Sequence, residues 1–548
     1  MIDILNRNTY IWGTGINEEI FNRELCDYST DLQLLNISLK DQISGYIESD
    51  PNKETWRERE VFKPEKALTS GMQQCIVTPK AKKGIVNWLD NNNVAWCTSE
   101  EYLDILKDYI LKTVNLDKLE YHEKEHALNG AEIINYIYKW KNEKRIIENE
   151  WNCLVEERSI EYVISYLAKY YKNDISDIAL ELPKCNKLQV NTIGIYIDKL
   201  YGGGIEKVVE MLVWLYIEDG YTVVVITDEQ NTEIEPEIYL SDKVIRYNMK
   251  IPKGANVKER LCELWKLVEE NNIDIICYHY GYTRINTYYE MLYLRMKGLP
   301  VLMELHSSVA TIKETPREIF SHLHEMYRLA NVVVVLSLSD KDYWEKKGVP
   351  CVYIPNPIQI NKAVHHCSDG KTVLWVGRLV QDPKQILDVP EIVALIKKEI
   401  PDIKLIMIGY KEREYDYRLL VDKIDKLGVA ANLIIENYQP SIEDYYNKAD
   451  VVLMTSNKES FSNVILESRY YGVPLVMYRI PWLELTKDKR GLVEIKQNDV
   501  EGAADEIVKL LSDNKYKTKM SKLAKDSTSV KSNEDIMERW ESLFEMIL

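Results

Sequence analysis

The fold of this chain is decided by residues 451–477, whose sequence is VVLMTSNKESFSNVILESRYYGVPLVM. Residues 451–454 predict a buried strand, and a polar loop and a helical pattern follow them. Gly472 and Pro474 are residue types that end helices, and the apolar run 474–477 predicts the next strand. Two buried strands joined by a loop and a helix are the repeating unit of a parallel α/β sheet.

Strands of this kind, separated by helical patterns, recur from residue 193 onward. They form two consecutive series, at 193–197, 222–227, 273–277, 301–305 and 332–336, and then at 372–376, 404–408, 432–435, 451–454 and 474–477. Between the series, Ile354-Pro-Asn-Pro357 and a polar stretch as far as Cys367 indicate a linker. Two doubly wound sheets in succession predict a cleft between two domains, with ligands at the carboxyl ends of the strands.

The residues before this module have a different pattern. Residues 1–110 alternate short strand and helix patterns, which predicts a small Rossmann-like domain with Gly13-Thr14-Gly15 after its first strand. Glu18 stands where a dinucleotide fingerprint has its third glycine, so docking or oligomerisation is favoured over nucleotide binding. Residues 111–188 have apolar residues at three- and four-residue spacing, which predicts a helical connector.

Composition excludes some classes of function. The formal net charge of −17 argues against a nucleic-acid-binding protein, because phosphate contact needs clustered Lys and Arg. The nine cysteines form no CxxC pair, which fits a reducing compartment. The N-terminus lacks a signal-peptide pattern, and no apolar run approaches the roughly 20 residues of a membrane span. We expect a cytoplasmic protein, and peripheral contact with the inner face of the membrane stays open.

The strongest chemical signal is a pair of carboxylates, Glu459 and Glu467, on either side of a loop-to-helix junction. Carboxylates accept paired hydrogen bonds from neighbouring hydroxyls, so one suits a hexose and the other a ribose. Ser460 or Ser462 can cap the helix, and its first-turn N–H groups at 461–463 can hold a diphosphate or a sugar.

Glycines and cations supply a second signal. Gly202-Gly203-Gly204 lies between a strand and a helix N-terminus, where backbone N–H groups bind phosphate. A plain tight turn is one alternative, and a dehydrogenase with Asp228 on the ribose is another, although Lys207 replaces the third fingerprint glycine. In the second domain, Arg378 and Lys384 can clamp a diphosphate leaving group.

From residue 190 onward the chain resembles the retaining GT-B glycosyltransferases of the group 1 (family 4) type. The motifs stand in family order: Gly203-Gly204-Ile-Glu206, Gly377-Arg378-Leu379, Lys384, the Glu459/Glu467 pair and Tyr470-Tyr-Gly-Val-Pro474. The resemblance implies two Rossmann-like domains that face each other, at 189–360 and 368–530. It also implies a C-terminal helix, at 531–548, that crosses back to the first of them, and a sugar nucleotide donor.

The resemblance also implies roles for single residues. It places Gly204, Arg378 and Lys384 on the diphosphate, Glu467 on the donor ribose, and Glu459 and His306 on the transferred sugar, with Gly203 also in the donor site. Around them it implies a donor site that includes Ser460, Phe461, Ser462 and Asn463. The lysine follows Arg378 one residue later than in many members, after Pro383, and Phe461-Ser462 replaces a frequent Phe-Gly pair.

We expect neither a metal nor a cofactor. Asp340-Lys-Asp342 follows Ser337 at a helix start, where acids complement the helix dipole. His365-His366-Cys367 lies in the linker with too few ligands for zinc. A glycosidase would need an acid and a base flanking one glycosidic bond, and no motif indicates such a pair.

The sequence therefore predicts a retaining hexosyl- or N-acetylhexosaminyltransferase, with UDP the expected nucleotide. Its acceptor is expected to be a glycan, a cell-surface polymer or a protein. A non-catalytic glycosyltransferase-like partner subunit is the alternative from another class, and a sugar phosphorylase or synthase is a third. Residues 1–188 are expected to mediate docking or oligomerisation.

Overall fold

A computed structural model of the chain contains two compact units. Residues 8–113 belong to the first unit, and residues 189–312 and 326–548 belong to the second. The residues that the structure describes are 8–14, 43–48, 54–56, 59–78, 83–113, 189–200, 203–228, 240–251, 257–280, 286–312, 326–358, 369–439, 441–527 and 533–548, with 18, 21, 25, 28 and 323.

The first unit is built on one six-stranded sheet. Its elements are β1 (Thr9–Trp12), β2 (Ile43–Ile47), β3 (Thr55–Trp56), β4 (Arg59–Phe62), α1 (Pro64–Thr69), β5 (Gln74–Val77), α2 (Lys83–Asn91), β6 (Ala95–Thr98) and α3 (Ser99–Thr113). The strand order is β3-β4-β2-β1-β5-β6, and only β3 and β4 pair antiparallel. Since β1 pairs with both β2 and β5, the end of β1 is the switch point of this sheet.

The second unit begins with a lobe, residues 189–358, that we call the first lobe. Its elements are β7 (Thr192–Tyr196), α4 (Gly204–Glu218), β8 (Thr222–Thr227), β9 (Ile245–Asn248), α5 (Val257–Glu270), β10 (Ile275–Tyr280), α6 (Asn286–Met296), β11 (Val301–Leu305), α7 (Val309–Ile312), β12 (Val332–Val335), α8 (Leu338–Lys346) and β13 (Cys351–Tyr353). The parallel sheet has the order β13-β12-β11-β10-β7-β8-β9, and its switch point lies between β7 and β10.

The second lobe, residues 369–527, repeats this architecture. Its elements are β14 (Thr372–Val376), α9 (Asp388–Glu399), β15 (Lys404–Ile408), α10 (Glu414–Leu427), β16 (Leu433–Glu436), α11 (Glu443–Lys448), β17 (Val451–Met454), α12 (Asn463–Tyr471), β18 (Leu475–Tyr478), a 3₁₀ turn (Glu484–Thr486), β19 (Leu492–Ile495), α13 (Val500–Ser512) and α14 (Asn514–Lys525). The parallel order is β16-β15-β14-β17-β18-β19, so Arg378 and Glu459 follow the two strands at the switch point.

The last helix, α15 (Asn533–Ile547), packs on the first lobe although it follows the second lobe in sequence. The rings of Trp540 and Phe544 each lie 5.9 Å from the ring of Tyr216 on α4. Trp540 is buried with the core of the first lobe. Burial of these aromatic rings holds the C-terminus of the chain against the lobe in which the second unit began.

The predicted fold class is confirmed, with errors at the edges of the sheets. The strands β9, β13 and β19 were not predicted, because edge strands are short and half-exposed and lack a buried apolar run. The strand predicted at 273–277 is wrong by two residues, since β10 begins at Ile275. The Asp274 carboxylate accepts the N–H groups of Asn191 and Thr192, which uses this residue as a link between strands.

Three interpretations concern residues outside the described ranges. They are the helical connector, which falls on residues 114–188 beyond the end of α3, the linker motif His365-His366-Cys367, and the first glycine of the loop, Gly202.

Candidate functional site

The two lobes of the second unit enclose a cavity of about 800 Å³. This volume suits a ligand of the size of a nucleotide sugar. Every predicted site residue lines it: Gly203, Gly204 and His306 from the first lobe, and Arg378, Lys384, Glu459, Ser460, Phe461, Ser462, Asn463 and Glu467 from the second. The structure therefore brings together residues that are up to 264 positions apart in the sequence (467 − 203).

Glu459 lies in the loop after β17 and is held by three contacts. Lys384 Nζ is 2.5 Å from Glu459 Oε1, and the Ser456 hydroxyl donates to the same oxygen over 2.7 Å. The Trp482 indole N–H donates to the Glu459 carbonyl over 2.7 Å. Only 16% of the Glu459 side chain and 14% of the Lys384 side chain are exposed, so the pair is preorganised in a partly dry site.

The loop after Glu459 also joins the two lobes. The Ser308 backbone N–H in the first lobe donates to the Ser460 hydroxyl over 2.7 Å. A second contact runs from Asn356 Nδ2 to Asn463 Oδ1 over 3.4 Å. Ser460 therefore contributes to the floor of the cavity between the lobes.

The expectation that Ser460 or Ser462 caps the helix is wrong. Ser462 occupies the N-cap position of α12, but its φ of 70° turns the side chain away, and its hydroxyl contacts the sulfur of Met454. The side chain of the N-cap residue makes no capping hydrogen bond, and residues of the first turn of α12 line the cavity. The Phe461 side chain is buried, and this residue can offer a ligand only its backbone.

Glu467 lies on α12, the helix that follows the Glu459 loop. The Tyr446 hydroxyl donates to Glu467 Oε2 over 2.8 Å, while the residue also lines the cavity. Loss of water around the carboxylate raises its pKa to about 7, and the bond from Tyr446 and the charge of Lys207 oppose that rise. Glu467 is therefore close to half-ionised at neutral pH.

Arg378 follows β14 at the mouth of the cavity. Its guanidinium pairs with the Glu412 carboxylate at 2.5 Å, and 39% of its side chain is exposed. The backbone lies close to a neighbouring strand end here, since a Cβ at Gly409 would lie 1.7 Å from the Gly377 carbonyl oxygen. Glycine at position 409 thus lets the ends of β14 and β15 approach.

The glycine loop of the first lobe differs at its two described positions. A Cβ at Gly203 would lie 2.2 Å from a carboxylate oxygen of Glu206, whose side chain folds back over the loop. A Cβ at Gly204 would meet no atom within 4 Å, and Gly204 lines the cavity. The space beside Gly204 is thus empty at a helix start, where backbone N–H groups can bind an anion.

One cavity residue was misjudged from the sequence, and a buried residue that contacts His306 was missed. Lys207 was considered only as the residue that breaks a dinucleotide fingerprint, yet it lines the cavity and its charge lowers the pKa of Glu467. Its spacing of three residues from Gly204 places it on the first turn of a helix that starts at the cavity, and this could have identified it. His279 was not considered.

His279, Glu304 and His306 form a buried cluster at the carboxyl ends of β10 and β11. His279 Nδ1 lies 3.2 Å from His306 Nε2 and 3.4 Å from Glu304 Oε2. The donor atoms of all three residues lie within 4.8 Å of one another, a spacing that a divalent metal could bridge. However, the ring centroids are 5.4 Å apart, which exceeds the N–N distance by nearly two ring radii. The two rings therefore meet edge to edge, and the N–N distance is that of a direct hydrogen bond whose donor depends on the tautomer.

The Asp340-Lys-Asp342 pair has local partners. Asp340 Oδ1 accepts the Val309 N–H over 3.0 Å, and the Ser337 hydroxyl caps α8 by accepting the Asp340 N–H. Asp342 pairs with Lys346 on the exposed side of the helix. Burial raises the pKa of Asp340 to about 6. These contacts assign both acids to helix α8 and its packing.

Within the described residues, the structure has no helix that is both long enough and apolar enough to cross a membrane.

Two family models match the second unit. Residues 358–527 match "Glycosyl transferases group 1", and residues 202–362 match "Glycosyltransferase Family 4". The N-acetyl-alpha-D-glucosaminyl L-malate synthase of Bacillus anthracis is 21% identical over 300 residues, which cover 52% of this chain and 77% of the relative. The poly(glycerol-phosphate) alpha-glucosyltransferase of Bacillus subtilis is 24% identical over 236 residues, which cover 42% of this chain but only 34% of that protein.

A solved structure has the same fold. A TarM variant of Staphylococcus aureus, in complex with fondaparinux, alpha-GlcNAc-glycerol and UDP, superposes with a TM-score of 0.54 at 13% identity. The match covers 65% of this chain and 99% of that one. At this identity the likeness concerns the fold, which is the two-lobed GT-B architecture.

Proposed function

We propose that this chain, which belongs to the group 1 glycosyltransferases, transfers a hexose or N-acetylhexosamine from a nucleotide diphosphate sugar. UDP is the nucleotide that we propose, and the anomeric configuration is retained. One observation carries the proposal. Arg378, Lys384, Glu459 and Glu467 converge with the open helix start at Gly204 on one cavity between the lobes.

The proposed donor pose follows from the chemistry of the lining. The diphosphate lies between the N-terminus of α4 at Gly204 and the cations Arg378 and Lys384, which are the anion-binding groups of the cavity. The ribose hydroxyls bind the Glu467 carboxylate. The transferred sugar extends toward Glu459, and His306 from the first lobe closes its other side.

In the proposed reaction, charge develops on the β-phosphate as the sugar leaves. Lys384 and Arg378 stabilise that charge, so the site needs no metal ion for this step in our proposal. The departing phosphate oxygen accepts the proton of the acceptor hydroxyl on the same face of the sugar. The protein contributes position and electrostatics, and Glu459 orients both the sugar hydroxyls and the Lys384 ammonium.

The proposed acceptor is a hydroxyl of a glycan, a cell-surface polymer or a protein. The name of the Bacillus subtilis relative, which glucosylates poly(glycerol phosphate), supports a bacterial surface polymer. A cytoplasmic location, with work at the inner face of the membrane, stays a prediction. Docking or oligomerisation through residues 1–188 also stays a prediction.

A thermal-shift screen of nucleotide diphosphates and nucleotide sugars tests the donor site. At a ligand concentration of 100 times Kd, binding stabilises a protein by about 2.7 kcal/mol, which raises the melting temperature measurably. We expect UDP and one UDP-sugar to stabilise the protein, and slow donor hydrolysis to accompany the latter. Glu467→Ala and Arg378→Ala should lose both effects.

Lys371→Ala is the matched control, because its exposed ion pair with Asp402 lies outside the cavity lining. It should behave like the wild type. If no nucleotide stabilises the wild type, or if Arg378→Ala behaves like Lys371→Ala, the donor site is misassigned. Binding of UDP without hydrolysis or transfer to any acceptor would favour the alternative, a non-catalytic partner subunit.

A further inference from the structure

The buried side chains of His279, Glu304 and His306 form a cluster, and His306 is the member that lines the cavity. In the parallel sheet, His279 on β10 is the direct register partner of Glu304 on β11. Glu304 and His306 are two residues apart, so both point to the same face of the sheet. All three side chains are at most 4% exposed.

The contacts within the cluster occupy one of the two ring nitrogens of His306. Its Nε2 lies 3.2 Å from His279 Nδ1 and 3.8 Å from Glu304 Oε1. The first distance is that of a hydrogen bond and the second is too long for one. Because His306 lines the cavity, its Nδ1 is the nitrogen left for a ligand there.

We propose that His279 and Glu304 are positioning residues that fix the proton of His306 on Nδ1, so that this nitrogen donates a hydrogen bond to the transferred sugar. The proposal rests on the proposed function of the cavity. In the proposed arrangement, His279 Nδ1–H is the donor of the 3.2 Å contact and His306 Nε2 is the acceptor. A neutral imidazole whose Nε2 accepts must carry its proton on Nδ1.

Glu304 controls this arrangement through its own proton. Its Oε2 lies 3.4 Å from His279 Nδ1, the same nitrogen that donates to His306. A carboxylate is a stronger acceptor than an imidazole, so an ionised Glu304 draws the His279 proton away from His306. A protonated Glu304 leaves that proton where it supports the His306 donor.

Burial favours the neutral form of all three groups. Burial raises the pKa of Glu304 to about 8 and lowers the pKa of His306 to about 3. Burial also lowers the pKa of His279 well below its usual value. The other titratable groups that interact with Glu304 are Cys277 on β10 and Tyr216 on α4, and burial raises the pKa of both, so neither adds charge.

The experiment compares pH profiles of sugar transfer or donor hydrolysis for the wild type, Glu304→Gln, His279→Asn and His279→Phe, with Kd for UDP measured beside them. Wild-type kcat should fall as pH rises through about 8, because ionised Glu304 withdraws the His279 proton. Glu304→Gln cannot ionise, so it should lose this alkaline limb and lower kcat only modestly at neutral pH.

His279→Phe removes the donor to His306 and should lower kcat about tenfold at every pH, the effect of one hydrogen bond made in the transition state. His279→Asn keeps an amide donor near the Nδ1 position and should recover most of that loss. Kd for UDP should change less than twofold in all variants, because the cluster lies on the sugar side of the cavity.

Three results would overturn the proposal. The first is an alkaline limb in Glu304→Gln that matches the wild type. The second is a loss in His279→Phe that appears in the UDP Kd rather than in kcat. The third is activity that chelation abolishes and zinc restores, which would make the cluster a metal site. Failure of UDP to bind the wild type would instead refute the proposed donor site, so the two failures are distinguishable.

Discussion

Both units of this protein contain a sheet with a switch point between parallel strands, but the polar groups beside that point differ in what they contact. In both, a glycine follows a strand at the switch point of a parallel sheet. In the first unit the Glu48 carboxylate at the end of β2 accepts both the N–H and the hydroxyl of Thr14, beyond Gly13. In the second unit, Gly204 is open to a cavity that cations and carboxylates line. The polar groups at the first switch point bond to one another, whereas Arg378 and Lys384 in the second unit line a cavity although each forms an ion pair.

The largest expected effect is a loss of sugar transfer that follows a change in the second unit but not a change in the first. Lys384→Met should lower kcat/KM of sugar transfer by about 10²–10³-fold, because one fixed charge at the leaving phosphate is lost. Steady-state kinetics with the donor found in the thermal screen measures it. The matched test in the first unit is Glu48→Gln, which should stay within about twofold of the wild type, since Glu48 does not line the cavity. Equal losses in both variants would contradict the comparison.

The ribose site should give a pH-dependent affinity. The pKa of Glu467 is raised to about 7, so its carboxylate is present above that pH and lost as pH falls through it. The ionised form accepts the ribose hydroxyls more strongly than the protonated form, and UDP affinity of the wild type should therefore weaken as pH falls through about 7.

Calorimetric titration of UDP across that range measures this dependence. Glu467→Gln should bind about tenfold more weakly above pH 7, the value of roughly one charged hydrogen bond, and its own pH profile corrects for titration of the phosphate. A wild-type profile identical in shape to that of Glu467→Gln would show that Glu467 does not bind the nucleotide.

Alanine at the two glycines should have opposite consequences. Gly204→Ala meets no atom within 4 Å, so the melting temperature should hold or rise while UDP binding weakens about tenfold. Gly13 has a φ of 117°, which strains any other residue, so Gly13→Ala should destabilise the first unit by about 1–3 kcal/mol without changing UDP affinity. Thermal melts and UDP titrations of the pair test this, and a Gly204→Ala protein with wild-type UDP affinity would argue against a diphosphate at that helix start.

The smallest expected effect tests the switch point of the first unit, where Thr14 and Glu48 bond to each other. Thr14→Val removes the hydroxyl bonded to Glu48 and should cost about 1 kcal/mol of local stability, with transfer kinetics unchanged within twofold. Hydrogen exchange should rise in peptides covering β1 and β2, and peptides covering β7 and Gly204 serve as the internal control. Unchanged exchange in β1 and β2 would mean that this bond does not stabilise the switch point.

Much of the site could be predicted from local sequence, because strand ends and helix starts at a switch point are recognisable one element at a time. Glu459, Glu467, Arg378 and Lys384 all follow this logic and line one cavity. The capping role predicted for Ser460 is wrong because its hydrogen-bond partner is distant in sequence. Its partner, the Ser308 N–H, lies 152 residues away, and local pattern carries no information about such a contact.

The sequence by itself determined the α/β class, the two strand series and the residue types of the donor site, since hydrophobic periodicity and short motifs are local properties. Only the tertiary structure decided which side chains form hydrogen bonds or ion pairs with each other. The Lys384–Glu459 pair and the His279–Glu304 register depend on how strands align, and the Tyr446–Glu467 bond depends on how helices α11 and α12 pack. Burial then sets the pKa of each group, because the loss of water is a property of packing and not of residue type.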